Sequence, residues 1–543
     1  MKRIISIILF VSMTVFLIAC KNTVPDNVGE NLSTGETETS SPISLWLPPF
    51  LPEALTENIK LPEGVFNTVN FAEADVTLDV GDSDPISRWI YVLAAPFPTT
   101  IEGISLKAIM DIWKGEEPRE FENRLLISGD TLALFEKLWG TPSKESVQIT
   151  TSERITEQAW NQKNTWALLP FENLEPKWKV IPINEQSPIS ASFDSTKYPL
   201  SISFSLVGSE IAINTIREAV LQGNENDFIP SSNRFSDHLT TVMLTGVTAL
   251  ARGTAYLMEK YGMTYPAIDI GETLRAADIL HISNEVPFTE NCPDPFSNPA
   301  NDAAFIFCSK EEYIQLLESI GTDVVELTGD HFRDWNADVM LNTIEMIEER
   351  GWQYYGGGRN YDDGVSPALF EHNGNKIAFL GCNAKQPGYA TADDEQPGAV
   401  HCDMERMTAE VRAVQQAGYI PIFTFQHIEH FEYDVSEEVA QEFHQAADVG
   451  ALIVSGSQAQ IPQAIEFYKK AFIHYGLGNL FFDQFNESFG QRQAVIDEHI
   501  IYNGKHISTK LIPILFIDLA RPRKMNPEES IVLLETIYEA SGW

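Results

Sequence analysis

Six short apolar segments in the second half of the chain, each running into a polar cluster, restrict the fold more than any other feature. They cover residues 241–246, 277–285, 323–331, 376–383, 420–427 and 451–458. Helical apolar spacing fills several of the gaps, at 310–320, 336–350, 405–417 and 436–448. Buried strands joined by crossover helices make a largely parallel sheet, because a parallel pair needs a connection long enough to bring the chain back to the same end. Ligands of such sheets gather at the carboxyl ends of the strands. The polar clusters recur at those ends, so one shared site is the economical expectation.

The chain has 543 residues, 43% of them apolar, enough for more than one core and too many for a disordered chain. Lys and Arg number 37 against 77 Asp and Glu, a net charge of −40. A phosphate-backbone binder needs basic faces, so nucleic acid is excluded as a partner class. An anionic membrane surface repels such a chain as well, so membrane association must rest on something other than charge.

The first twenty residues offer that alternative. Lys2 and Arg3 precede a nearly unbroken apolar run from Ile4 to Ile18, too short to span a bilayer and shaped like a signal peptide. Leu17-Ile18-Ala19-Cys20 resembles the lipobox of bacterial lipoproteins. The resemblance implies cleavage before Cys20 and lipid attachment to it, hence an extracytoplasmic protein anchored to the bacterial cell membrane. Loss of Lys2 and Arg3 takes the charge from −40 to −42. Residues 21–44, polar and rich in Ser, Thr, Glu, Gly and Asn, read as a flexible tether.

A first globular half is expected over 45–232. A buried strand at 88–95 leaves through Pro96-Phe97-Pro98, an amphipathic helix follows Gly103-Ile104-Ser105-Leu106 and ends at Trp113-Lys114-Gly115, and further strands lie near 165–171, 178–183 and 198–202. Strands alternating with helices argue α/β. These segments resemble the type-2 periplasmic solute-binding fold, particularly phosphate-binding-like proteins. No dense Ser/Thr/Gly loop opens a helix to cradle an oxyanion. The polar, turn-rich stretch at 217–237 places the boundary near 230–238, with the second domain over 236–543.

Four cysteines remain beside Cys20. Cys292 and Cys308 are close in sequence, as are Cys382 and Cys402. Local pairing would give two disulfides, each closing a loop of roughly 15–20 residues worth about 3 kcal/mol. It would suit an oxidising compartment. Four cysteines allow three connectivities, and the sequence does not choose among them. A zinc site is the competing use, and no C-x2-C spacing supports it.

Three strand ends carry chemistry. Asn284-Glu285 follows the second segment, Asp330-His331-Phe332-Arg333-Asp334 the third, and His427-Ile428-Glu429-His430 with Glu432 the fifth. Carboxylate, amide and imidazole converging on one edge form a ligand set for a divalent cation, which could polarise an ester or amide and activate water. In chain order these residues resemble the CapA family of capsule or poly-γ-glutamate synthesis proteins, related to calcineurin-like metallophosphoesterases. The resemblance runs through Ser283-Asn284-Glu285, Gly329-Asp330-His331 with Asp334, Tyr355-Gly356-Gly357-Gly358, the strand at 374–381, Phe425-Gln426-His427, and Gly476-Leu477-Gly478-Asn479 leading to Asp483. It implies a four-layer α/β/β/α domain.

Two expected ligand positions are replaced: Val247 stands where the family has a metal-binding Asp, and Gly456-Ser457-Gln458-Ala459-Gln460 lacks the family's histidines. By resemblance, Glu285, Asp330, His331 and His427 would hold one divalent metal (Mn, Zn or Mg), if any is bound. His331, His427 and Asp334 would be the catalytic residues, with Asp334 orienting His331. Whether the protein is an enzyme stays open. The expected role is capsule or poly-γ-glutamate synthesis, retention or export, with an anionic envelope polymer or envelope synthesis machinery as partner. The alternatives are a metal-dependent hydrolase of the metallophosphoesterase type and the solute-binding lipoprotein of a transporter.

Overall fold

The computed structural model describes residues 42–116, 124–162, 165–222, 229–295, 307–385, 387–388 and 390–543. The leader over 1–20 with Cys20, and the tether as far as residue 41, lie outside the described residues. The end of the expected tether does not hold: Ile43 and Ser44 already belong to a paired strand, Ile43–Trp46. Among the described residues no helix is long and apolar enough to cross a membrane.

The six apolar segments form strands, and they divide equally between two sheets. Leu239–Leu244, Ile279–Asn284 and Val324–Glu326 run parallel in one, extended on one side by Gln353–Tyr355. On the other side, Gln493–Tyr502, Lys505–Phe516 and Pro522–Lys524 add antiparallel neighbours. Asn375–Asn383, Ile420–Gln426 and Ile453–Ser457 run parallel in the second sheet with Ala471–His474. Its edges, Ala368–His372 and Ile465–Tyr468, are antiparallel.

The two sheets pack face to face. Val242, Leu244, Ile279 and Val324 from one meet Ile377, Phe379, Ile422 and Ile453 from the other. Alternation along each strand serves the outer layers. Leu280 and Ile282 pack on the far side with Met258, Ile270 and Leu317. Leu380, Phe423 and Phe425 pack with Met407, Val411 and Phe443. The result is the four-layer α/β/β/α arrangement. The crossover helices start where short polar side chains cap them: Asn336 accepts from Val339 N, Asp403 from Glu405 N, and Ser436 from Val439 N.

In the first half one sheet runs in the order Val65–Thr68, Ile43–Trp46, Val76–Val80, Ser201–Gly208, Ser87–Pro96, Ala167–Pro170, Leu125–Ile127, Val147–Ile149. The long central strand Ser87–Pro96 pairs with Ser201–Gly208 over its first part and with Ala167–Pro170 over its second. The helix Leu106–Lys114 is capped by Ser105 and ends at Gly115 in the left-handed conformation. The core of this half is continued by Leu239, Ile500, Tyr502 and Ile507. Phe97 sits among Phe467, Phe472, Tyr538 and Trp543. Residues 43–543 accordingly cluster as one unit. Cys292–Cys308 and Cys382–Cys402 are the disulfides, so the local pairing is the connectivity used.

Candidate functional site

The carboxyl ends of both sheets open on the same edge. Glu285 directly follows Ile279–Asn284, and the loop after Val324–Glu326 carries Gly329, Asp330 and His331. That loop lies against the backbone of Glu285: a Cβ on Gly329 would come within 2.7 Å of Glu285 O and 3.0 Å of its Cα. Only glycine permits this approach, and it is what brings the carboxylates together. Ligand atoms of Glu285, Asp330 and His331 all lie within 4.8 Å of one another. His331 Nδ1 is 2.8 Å from Asp334 Oδ2, which also accepts from Phe307 N at 2.6 Å. The Phe307 ring packs edge-on against the imidazole, with centroids 4.7 Å apart. Asp334 thus engages the His331 ring at Nδ1.

The second sheet contributes nitrogen donors. From the end of Ile420–Gln426, Gln426 Nε2 donates to both oxygens of Glu285 at 3.2 and 3.1 Å and to Asp330 Oδ1 at 3.0 Å. From the loop after Asn375–Asn383, Lys385 Nζ donates to Asp330 Oδ2 at 2.8 Å. Gln458, buried beyond Ile453–Ser457, holds a left-handed backbone at φ 77°. Its Oε1 accepts from Gln426 Nε2 at 2.8 Å. A non-glycine residue in that region costs of order 1 kcal/mol or more and tends to cluster at functional sites.

Electrostatics sort the acids. Burial, reinforced by the charge of Asp330, pushes the Glu285 carboxyl up to about 8. Burial would also raise Asp330, but the Lys385 ammonium outweighs it and holds that carboxyl below its ordinary value. Burial opposes the charge on His331, yet the Asp334 hydrogen bond and the charges of Glu285, Asp334 and Asp330 prevail and lift it to about 9.

His427 does not join this group. Its Nδ1 accepts from Ile428 N at 2.9 Å, and its Nε2 lies 2.8 Å from Glu442 Oε2 on the helix Glu437–Val449. Successive side chains along a strand point to opposite faces, so Gln426 reaches the carboxylates and its neighbour turns to the outer helix. Val247 is wholly buried with Ala249, Val286 and Phe482. Gly246 before it lies so close to Gly478 that a Cβ would meet its carbonyl oxygen at 1.9 Å.

Four side chains are missed as participants by the sequence reading: Gln426, Gln458, Lys385 and Arg252. The strand-end rule reaches Gln426 and Gln458 but prefers the neighbouring histidine in one case and scores an absent histidine in the other. Lys385, two residues past its strand, needed only that rule applied to the fourth segment. Arg252 has a φ of 50° and its Nε is 3.4 Å from Asp483 Oδ1. Its guanidinium faces Phe482 and Phe307, the ring that packs on His331. Nothing in the sequence marks it.

A divalent ion binds carboxylates through oxygen lone pairs left free for it. Here the oxygens of Glu285 and Asp330 accept from an ammonium and from amide nitrogen. A divalent ion at this acidic and imidazole group would therefore compete with Lys385 and Gln426 for the same oxygens.

Comparison with known proteins bears on these residues. A family model described as "Bacterial capsule synthesis protein PGA_cap" matches residues 241–484. The "Capsule biosynthesis protein CapA" of Bacillus anthracis is 26% identical over 282 residues, covering 51% of this chain and 68% of that protein. An ABC-type phosphate transport receptor from Vibrio cholerae resembles 33% of this chain over 92% of its own, at 12% identity and a TM-score of 0.27. The 5'-nucleotidase precursor from Thermus thermophilus resembles 56% over 59% of its own, at 10% identity and a TM-score of 0.30. The matched region holds Glu285, Asp330, His331, Lys385, Gln426 and Gln458 alike, so these residues lie in a domain similar to that of bacterial capsule synthesis proteins.

Proposed function

We propose that this protein is a lipid-anchored surface protein that acts on an anionic envelope polymer of the capsule or poly-γ-glutamate type, in its synthesis, retention or export. The capsule-synthesis domain over 241–484 is the observation that carries the reading. A polyanion meets a chain at −40 only where cations gather locally. His331, lifted to about 9, and Lys385 lie beside the carboxylates, Arg333 follows in the His331 loop, and Arg252 stands behind Phe307.

Deleting the gene and measuring cell-associated polymer tests the reading. Polymer on the cell surface should fall and return with the wild-type gene. A Cys20→Ala copy should shift the protein to the medium and restore polymer poorly. Unchanged cell-bound polymer in the deletion strain refutes the role. A hydrolase of the metallophosphoesterase type draws on the Glu285–Asp330–His331 group. It predicts Mn²⁺-dependent ester cleavage by the purified chain that His331→Ala abolishes.

A further inference from the structure

We infer that Lys385 is a built-in cation of the Glu285–Asp330–His331 site, taking the electrostatic place that a divalent ion would otherwise fill. The lysine is held for this task. Its backbone N–H donates to Asn383 Oδ1 at 2.8 Å, and Asn383 Nδ2 donates to Thr328 O at 2.7 Å, two residues before Asp330. The strand carrying Asn383 is tied by the Cys382–Cys402 disulfide. The loop that presents the ammonium is thereby bound to the loop that presents its carboxylate, and Nζ reaches Asp330 Oδ2 at 2.8 Å with only a fifth of the lysine side chain exposed.

The amides complete the arrangement. A lysine ammonium brings one positive charge and three N–H donors. It satisfies one Asp330 oxygen, and the two N–H groups of Gln426 are shared among the other, the oxygens of Glu285 and Gln458 Oε1. Where a metal centre would place histidine nitrogens that donate lone pairs, this site places N–H groups that require them. Gln458 supports the pattern, since its Oε1 accepts from Gln426 Nε2 at 2.8 Å and so helps to orient that amide toward the carboxylates. Substituting one partner of such a partly buried pair leaves an uncompensated charge, whereas neutralising both partners does not.

The inference goes beyond the polymer role and stands or falls separately from it. The test uses the mature full-length chain, incubated with Mn²⁺ or Zn²⁺ and desalted, read by elemental analysis and by thermal unfolding. The wild type should retain only substoichiometric metal, and its Tm should not respond to either ion. Lys385→Met should lower Tm by several degrees, Lys385→Arg should preserve it, and Asp330→Asn in the Lys385→Met background should recover most of the loss. If Lys385→Met does not fold, the double variant decides: recovery supports the inference and no recovery overturns it. It is also overturned if the wild type retains one ion per chain that Asp330→Asn removes, or if Lys385→Met is as stable as the wild type. Loss of cell-bound polymer, by contrast, is read in the deletion strain and does not depend on these results.

Discussion

Acid should loosen this protein through a histidine at the contact between its two halves. His506 is buried in Lys505–Phe516, with Nε2 placed 3.1 Å from Ser508 O and 2.8 Å from Thr509 Oγ1. Ser508 Oγ in turn donates to Trp178 O of the first half. Burial depresses His506 to about 3 from an ordinary 6.5, against a smaller upward pull from the Ser508 hydrogen bond. The folded state therefore keeps the ring neutral, while the unfolded chain takes up a proton below about 6.5. Stability is complete above that value, falls as pH drops through it, and levels off only near 3. The single group should cost about 2 kcal/mol at pH 5 relative to neutral pH. For a chain of this length that is a Tm shift of about 2 °C. His499, 5.2 Å away between ring centroids and also held far below its ordinary value by burial, adds in the same direction. The assay compares Tm between pH 7.5 and 5 for the wild type and His506→Gln. The variant should lose less on acidification, because its side chain cannot be protonated. Parallel curves for the two proteins would refute the reasoning.

Two further substitutions test the architecture. Gly329→Ala drives a Cβ into the Glu285 backbone, so it should cost about 1–3 kcal/mol in urea unfolding; a stability equal to wild type would mean that the close approach does not hold the two carboxylates together. Phe97→Ala removes a buried ring from between Phe467, Phe472, Tyr538 and Trp543 and should cost about 3–5 kcal/mol; a loss well under 1 kcal/mol would show that this contact between the halves contributes little.

The positions of the strands and helices in the second half were legible from local pattern. Apolar runs of strand length became Leu239–Leu244, Ile279–Asn284, Val324–Glu326 and their three counterparts. Helical spacing at 336–350, 405–417 and 436–448 became Ala337–Glu349, Met404–Gln416 and Glu437–Val449. These elements answer to neighbours a few residues away, through apolar periodicity and a capping side chain, so a linear reading finds them. The same reading puts Glu285, Asp330 and His331 on adjacent strand ends, and they meet.

Tertiary structure decided what depends on distant partners. Six similar strands could have formed one sheet; they form two because each buries one face against helices and the other against the opposite sheet. Once the frame of Ile420–Gln426 is set by pairing with Asn375–Asn383 and Ile453–Ser457, period-two alternation gives Gln426 to the carboxylates and His427 to Glu442. The choice between those neighbours is a matter of one residue of register, invisible in the residues themselves. Lys385 reaches Asp330 across 55 positions of chain, and only the facing of the two sheets brings its ammonium there.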